Sequence, residues 1–311
     1  MKRSTPVVLL SILLAIPLFA TFSFGKEIRY LSFVAKNRHN IYVRDLDQDE
    51  IEFKLDGKPV EIGFFGFRDI TTAYVILLEN SPRTAHFAIS MPQAGRVNPI
   101  DRIRYEMNYD FFGPLTESGS VLLGEFFKEV EILHPFTDQG DLILYAMSSM
   151  QLNFTGVMFD DPEVGRVIGR GVDLLRERSE KRKVMVLFTT TIDRESYGNL
   201  EEYQLMLRNV DIELYVISHA PRFVSGIGHT FTEKMNRSFF RNLVKETGGK
   251  ALLVGEYTYL EELFTELKGS LQNSYTIGFY IHPDKKVSDH EVEVKLKREK
   301  CKVSHRKYLV Y

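Results

Sequence analysis

Tyr74-Val-Ile-Leu-Leu-Glu-Asn-Ser-Pro-Arg83 is the stretch on which the fold turns. An apolar run that ends abruptly in polar residues is how a buried parallel strand delivers its C-terminal loop to a binding crevice. Downstream, Lys183-Val-Met-Val-Leu-Phe188, Val210-Asp-Ile-Glu-Leu-Tyr-Val-Ile217 and Ala251-Leu-Leu-Val254 have the same strand character. Helical periodicity fills the gaps between them. Val164, Val167, Ile168, Gly171 and Leu175 share one face, a helix is expected over 200–208, and Met235, Phe239, Leu243 and Val244 mark another before Gly248-Gly249. A last amphipathic helix over 259–271 uses Leu260, Leu263, Phe264, Leu267 and Leu271. Strands alternating with helices at this spacing predict an α/β fold: a Rossmann-like open, mostly parallel sheet with helices on both faces.

Between the first two of these strands the pattern is less regular. Residues 84–99 give no clear period, whereas Ile100, Ile103 and Met107 place a helix over 100–109. Residues 120–127 and 130–134 read as a strand pair, and Leu142, Tyr145, Ala146 and Met150 as a short helix over 141–150. Asp161-Pro162-Glu163 reads as a helix start, with Asp161 as cap and Pro162 at the first helical position.

Both flanks switch to period two. Residues 28–33, 40–43 and 51–55 alternate, and Asp56-Gly57 is a hairpin turn leading to Val60-Glu-Ile-Gly-Phe-Phe-Gly-Phe67. The tail returns to it in residues 275–281 and 291–297, with one more strand over 302–311. Isolated pairs of strands are marginal, so the two ends are expected to form one small β module around an inserted α/β domain. The expected division is 1–25 signal peptide, 26–68 N-terminal β segment, 69–271 α/β domain and 272–311 C-terminal β segment.

Met1-Lys-Arg precedes an apolar stretch from Pro6 to Phe24, and Ser23 and Gly25 occupy cleavage-site positions. This reads as a secretory signal, with an uncleaved N-terminal membrane anchor as the alternative. The expected location is therefore secreted or periplasmic. A formal net charge of -2 gives no electrostatic reason to expect nucleic acid. Cys301 is the only cysteine, so no intramolecular disulfide can form. It is expected as a small buried residue on a strand, with intermolecular pairing as the alternative. Scattered histidines offer no zinc site.

The ordered set Glu52-Phe-Lys-Leu-Asp-Gly-Lys-Pro59, Phe136-Thr-Asp138, Glu246-Thr-Gly-Gly249, Leu271-Gln-Asn-Ser-Tyr-Thr-Ile-Gly-Phe-Tyr280 and Arg306-Lys-Tyr308 resembles a family of secreted bacterial proteins related to von Willebrand factor type A domains, of acidobacterial type. The match runs from about Asp45 to Tyr308. Such domains normally place Asp-x-Ser-x-Ser after the first strand, where a carboxylate and two hydroxyls bind a divalent cation, usually magnesium. Here Glu79, Ser81 and Arg83 stand in those places, so the third ligand is a cation that repels the metal. The family's threonine aligns with Gly156, leaving Thr155 one place early. Its Ser-Asp-Gly after the next strand is replaced by Phe188-Thr189-Thr190, with Asp193 displaced. The resemblance thus implies a degenerate metal-ion-dependent adhesion site at Glu79, Ser81, Arg83, Thr155, Asp160, Thr189 and Asp193. If a metal binds, Glu79, Ser81 and Thr155 are its ligands.

Other chemistries have plainer explanations. Asp160 and Asp161 fit a capping turn, and Gly165, Gly169 and Gly171 fit helix packing rather than phosphate binding. Asn153 and Asn236 sit in glycosylation-acceptor patterns that are short and common. His219 and His229 flank a loop at the crevice edge. No serine, histidine and acid set carries a spacing signal, so no catalytic residue and no cofactor are assigned. The expected function is a non-catalytic module that binds a protein partner. The alternative is a metal-dependent adhesion domain using magnesium or manganese, and a hydrolase using Asp160 or Asp193 stands third.

Overall fold

The computed structural model describes residues 27–82, 84, 99–153, 155, 160–219, 227–254, 260–281 and 287–311. The expected signal or anchor segment and Arg83 lie outside the described residues. The N-terminal strands are β1 (Glu27–Lys36), β2 (Ile51–Leu55), β3 (Lys58–Pro59) and β4 (Ile62–Phe67). The central part comprises β5 (Thr72–Glu79), α1 (Pro99–Glu106), α2 (Tyr109–Ser118), β6 (Gly119–Phe126), β7 (Val130–Thr137), α3 (Gly140–Ser149) and α4 (Val164–Arg176). It continues through β8 (Arg182–Thr189), α5 (Arg194–Gly198), α6 (Leu200–Asn209), β9 (Ile212–His219), α7 (Ile227–Val244), β10 (Lys250–Val254) and α8 (Leu260–Gln272). The tail is β11 (Ser274–Ile281), β12 (Asp289–Leu296), β13 (Lys302–His305) and β14 (Tyr308–Val310).

Six strands form the central sheet in the order β10-β9-β8-β5-β6-β7. All neighbours are parallel except β6 and β7, which pair antiparallel. Every residue of β5 is buried because helices cover both faces. Tyr74, Ile76 and Leu78 pack toward α1, α2, α3 and α8, while Val75 and Leu77 pack toward α4, α6 and α7. This is the open, doubly wound α/β architecture that the alternating pattern predicts.

The two chain ends build a sandwich. One sheet has the order β13-β1-β11-β4 and the other β14-β12-β2-β3, and Leu31, Phe33, Phe53, Ile277, Phe279 and Val294 belong to their shared core. The Phe53 and Phe279 rings meet across it with centroids 4.7 Å apart. Asp56 at φ 50 and Gly57 at φ 74 make the expected tight turn between β2 and β3.

Several local expectations are corrected. Residues 40–43 contribute only an isolated bridge from Tyr42 to Lys36. Asn108 starts a second helix, its side chain accepting the Asp110 amide, so the expected helix over 100–109 ends early and α2 follows despite Pro114. The 302–311 segment is two strands in different sheets, because buried Arg306 leaves the ladder to pair with Asp211 at 2.7 Å. Cys301 is half-buried beside the sandwich core, in the turn before β13 rather than on a strand.

Candidate functional site

The central sheet reverses its winding between β5 and β8, and in such sheets ligands bind beyond the carboxyl ends of the strands at that switch point. Glu79 ends β5 and Thr189 ends β8. Both are buried, Glu79 at 3% exposure and Thr189 at 0%.

The Glu79 carboxylate is enclosed by protein donors. Ser81 Oγ donates to Oε1 at 2.5 Å, and the Thr190 amide donates to Oε2 at 2.5 Å. Thr190 Oγ1 lies 2.8 Å from Oε1 and 2.9 Å from Oε2, and Thr189 Oγ1 lies 2.9 Å from Oε2. The threonine run is itself held from α7, where Asn236 Oδ1 accepts the Ile192 amide at 3.2 Å. Asn236 is 4% exposed and spends its side chain inside, so its glycosylation pattern is sterically closed.

A hard cation wants about six oxygens turned toward a common centre. Ser81 and Thr190 instead turn their hydroxyl protons toward Glu79. Thr155 is exposed, and its amide and hydroxyl both point to Asn153 Oδ1, at 2.9 and 2.5 Å. Asn153 is tied in turn to Asn80 Oδ1 at 3.0 Å, so this segment is anchored beside Glu79 but not to it. As folded, the donor set does not fit magnesium. Among the described residues no group of three His, Cys, Asp or Glu side chains could hold a metal.

Asp193 serves two helix starts. Its Oδ1 accepts the Ser196 amide at 2.8 Å, capping α5, while Oδ2 accepts the Val164 amide at 3.0 Å at the start of α4. Ser196 Oγ, held by Asp193 at 2.5 Å, takes the Gly165 amide at 2.7 Å. The cap expected from Asp161 is corrected: the helix begins at Val164, and its first two amides go to Asp193 and Ser196. Gly165 permits this junction: a Cβ there would meet the Tyr203 hydroxyl at 1.9 Å. Gly171 is likewise pressed against Met185, whereas a Cβ on Gly169 would meet nothing within 4 Å. Asp193→Ala is expected to destabilise by about 2 kcal/mol in urea unfolding, because both helices lose their acceptor. A loss no larger than that of Asp193→Asn would refute the double cap.

Asn80, 4% exposed, has no signal in the sequence that marks it as a site residue. Its Nδ2 donates to Glu125 Oε2 at 2.8 Å and to the Gln151 carbonyl at 2.7 Å. Burial is the chief cause that pushes the Glu125 carboxyl up, against the Asn80 hydrogen bond. Asp160 is half-buried and joins neither Glu79, Ser81 nor Thr189 through a hydrogen bond among the described residues. His219 ends β9 and His229 lies in the first turn of α7. Thr190 and Asn236 could have been suspected from the three hydroxyls of Thr189-Thr190-Thr191 at the end of a buried strand.

A serine, a histidine and an acid do meet away from the switch point, at positions whose spacing in the chain gives no signal. Ser288 Oγ lies 3.0 Å from His290 Nε2, and His290 Nδ1 lies 2.8 Å from Asp56 Oδ2. Ser288 sits just before β12 and His290 near its start, and the β2–β3 turn brings up the carboxylate. The His290 hydrogen bond, the largest cause, holds the Asp56 carboxyl below its usual range.

No family profile matches the chain, and no curated protein does. Among solved structures, the PilB minor pilin from Streptococcus sanguinis is 14% identical, over 65% of this chain and 61% of the pilin, with a TM-score of 0.47. A von Willebrand factor type A structure from Catenulispora acidiphila is 9% identical, over 92% of this chain and 74% of its own, with a TM-score of 0.47. BatB from Bacteroides thetaiotaomicron is 11% identical, over 63% of this chain and 97% of its own, at 0.43. The chain spans less than two thirds of the pilin's length. Similarity at this level assigns neither activity nor partner. Strand order and direction define the class: a doubly wound, Rossmann-like α/β domain joined to a β sandwich made from both ends of the chain.

Proposed function

We propose that this protein is a non-catalytic protein-binding module, secreted or held in the cell envelope, that works without tight metal binding. The observation that carries the reading is the enclosed Glu79 carboxylate, whose two oxygens are answered by Ser81, Thr189 and Thr190 at the switch point. A partner then meets the loops after Leu78, Leu187 and Ile217 as a surface rather than through a shared cation. Exposed tyrosines on the helices of one face support a protein partner: Tyr105 is 69%, Tyr109 59% and Tyr145 76% exposed. Among the described residues no helix is long and apolar enough to cross a membrane.

The deciding measurement is thermal unfolding with magnesium, manganese or a chelator. A cation at one hundred times its dissociation constant stabilises the folded state by about 2.7 kcal/mol. The expected result is the same midpoint in all three buffers. A rise that disappears in Glu79→Ala would restore the metal-dependent adhesion reading.

The Ser288, His290 and Asp56 relay is read as a clasp between the β2–β3 turn and β12. Asp56 Oδ1 accepts the Glu291 amide at 2.8 Å, and the Ser288 backbone pairs both ways with Tyr311, at 3.1 and 3.3 Å. A fluorophosphonate probe, which captures activated serines, is expected to leave Ser288 unlabelled. A covalent adduct at Ser288, lost in His290→Ala, would make the protein a hydrolase candidate.

A further inference from the structure

Strands β1 and β13 set Lys36 directly across from Lys302 in antiparallel register. Like charges in that position destabilise a sheet unless something answers them. Lys36 is answered, since its ammonium lies 2.7 Å from each oxygen of Glu266 and 4.2 Å from the centroid of the Tyr42 ring. Lys250 takes the same carboxylate. Burial works to raise the Glu266 carboxyl, but Lys250 and Lys36 together hold it below its usual range. Its single charge is therefore shared between two lysines.

Lys302 and Arg38, both exposed, have no carboxylate partner among the described residues. The Arg38 guanidinium meets only the neighbouring His39 ring, at 2.9 Å. All four cations line one cavity of about 220 Å³, together with Glu266 and Ser304. It lies where β1 and β13 of the sandwich meet the start of β10 and the flank of α8. Four cations against one carboxylate leave a surplus of three positive charges in a small space between the two halves of the molecule.

We propose that this cavity binds a phosphate group, with Arg38 and Lys302 as its main charge contacts and Ser304 as a hydroxyl donor. A guanidinium fork and an ammonium suit a compact oxyanion with several acceptor oxygens. Its charge would also relieve the Lys36 and Lys302 confrontation. The inference is independent of the Glu79 site and of the metal-free reading.

The test is calorimetric titration of the full chain with inorganic phosphate and with glycerol phosphate at constant ionic strength, chloride serving as control. One saturable site is expected, weakened at least tenfold by Lys302→Glu and by Arg38→Glu. Lys302→Glu gives Lys36 an opposite charge across the strand pair, so its urea midpoint should hold or rise, and lost binding would not reflect lost folding. Saturable binding of inorganic phosphate alone supports a free-ion site, and tighter binding of glycerol phosphate supports a phosphate ester. Absence of saturable heat with both ligands would overturn the proposal. Equal heat with chloride, or binding unchanged in both variants, would do the same.

Discussion

Glu79→Ala is expected to lower the free energy of unfolding by about 3 kcal/mol, with or without magnesium, because it leaves the Thr190 amide and the hydroxyls of Ser81, Thr189 and Thr190 buried without their shared acceptor. Glu79→Gln keeps a carbonyl oxygen for the Thr190 N–H and turns its NH2 toward the Ser81 and Thr190 hydroxyls, which can reverse and accept. Its loss should be roughly half as large. Urea unfolding in chelator measures both. A loss confined to magnesium-containing buffer would show that the carboxylate's purpose is a cation. An unchanged midpoint for Glu79→Ala would show that the hydroxyls find other partners.

The second large effect lies at the opposite end of the sheet. Arg182 at the start of β8 grips Glu213 of β9 with two bonds, Nε to Oε1 at 3.0 Å and Nη2 to Oε2 at 2.8 Å. Their side chains are 4% and 8% exposed. Nη1 reaches the Leu271 carbonyl at 3.1 Å and Ser274 Oγ at 2.9 Å, where α8 passes into β11. Arg182→Ala is therefore expected to cost about 3–5 kcal/mol, since it strands a buried carboxylate. The double variant Arg182→Met/Glu213→Leu should recover most of that loss, because it removes both charges and keeps the volume. A double variant no more stable than Arg182→Ala would mean that the contacts to Leu271 and Ser274 matter more than the charge pair.

The α/β sheet was legible because burial on both faces leaves strands such as Tyr74–Leu78 and Lys183–Phe188 almost wholly apolar. Helices α4 and α8 kept their apolar stripes for the same reason. Harder to read were features that depend on residues far apart in the chain. Asp193 lies 29 positions from Val164, whose amide it accepts, so no local rule could choose it over Asp161 as the cap. Asp56 and His290 are separated by 234 positions and meet only when β2 pairs with β12. At the switch point, the change from a metal-binding pattern to Glu79 and a threonine run was visible residue by residue. That the hydroxyls would turn inward onto the carboxylate was not, because hydroxyl direction is set by packing rather than by sequence.

The pairing of the two chain ends dictates an order of assembly. Strand β1 has its neighbours only in β11 and β13, and β2 is flanked by β12 and the two-residue β3. Apart from the short β2–β3 hairpin, the aromatic-rich strands of residues 27–67 therefore lack their sheet partners until β11 to β13 have left the ribosome. Phe67 and Tyr275, the last and nearly the first residues on either side of the α/β unit, stand opposite each other in the finished sheet. Joining β4 directly to β11 by a short turn should therefore yield a sandwich that no longer has to wait for the rest of the chain.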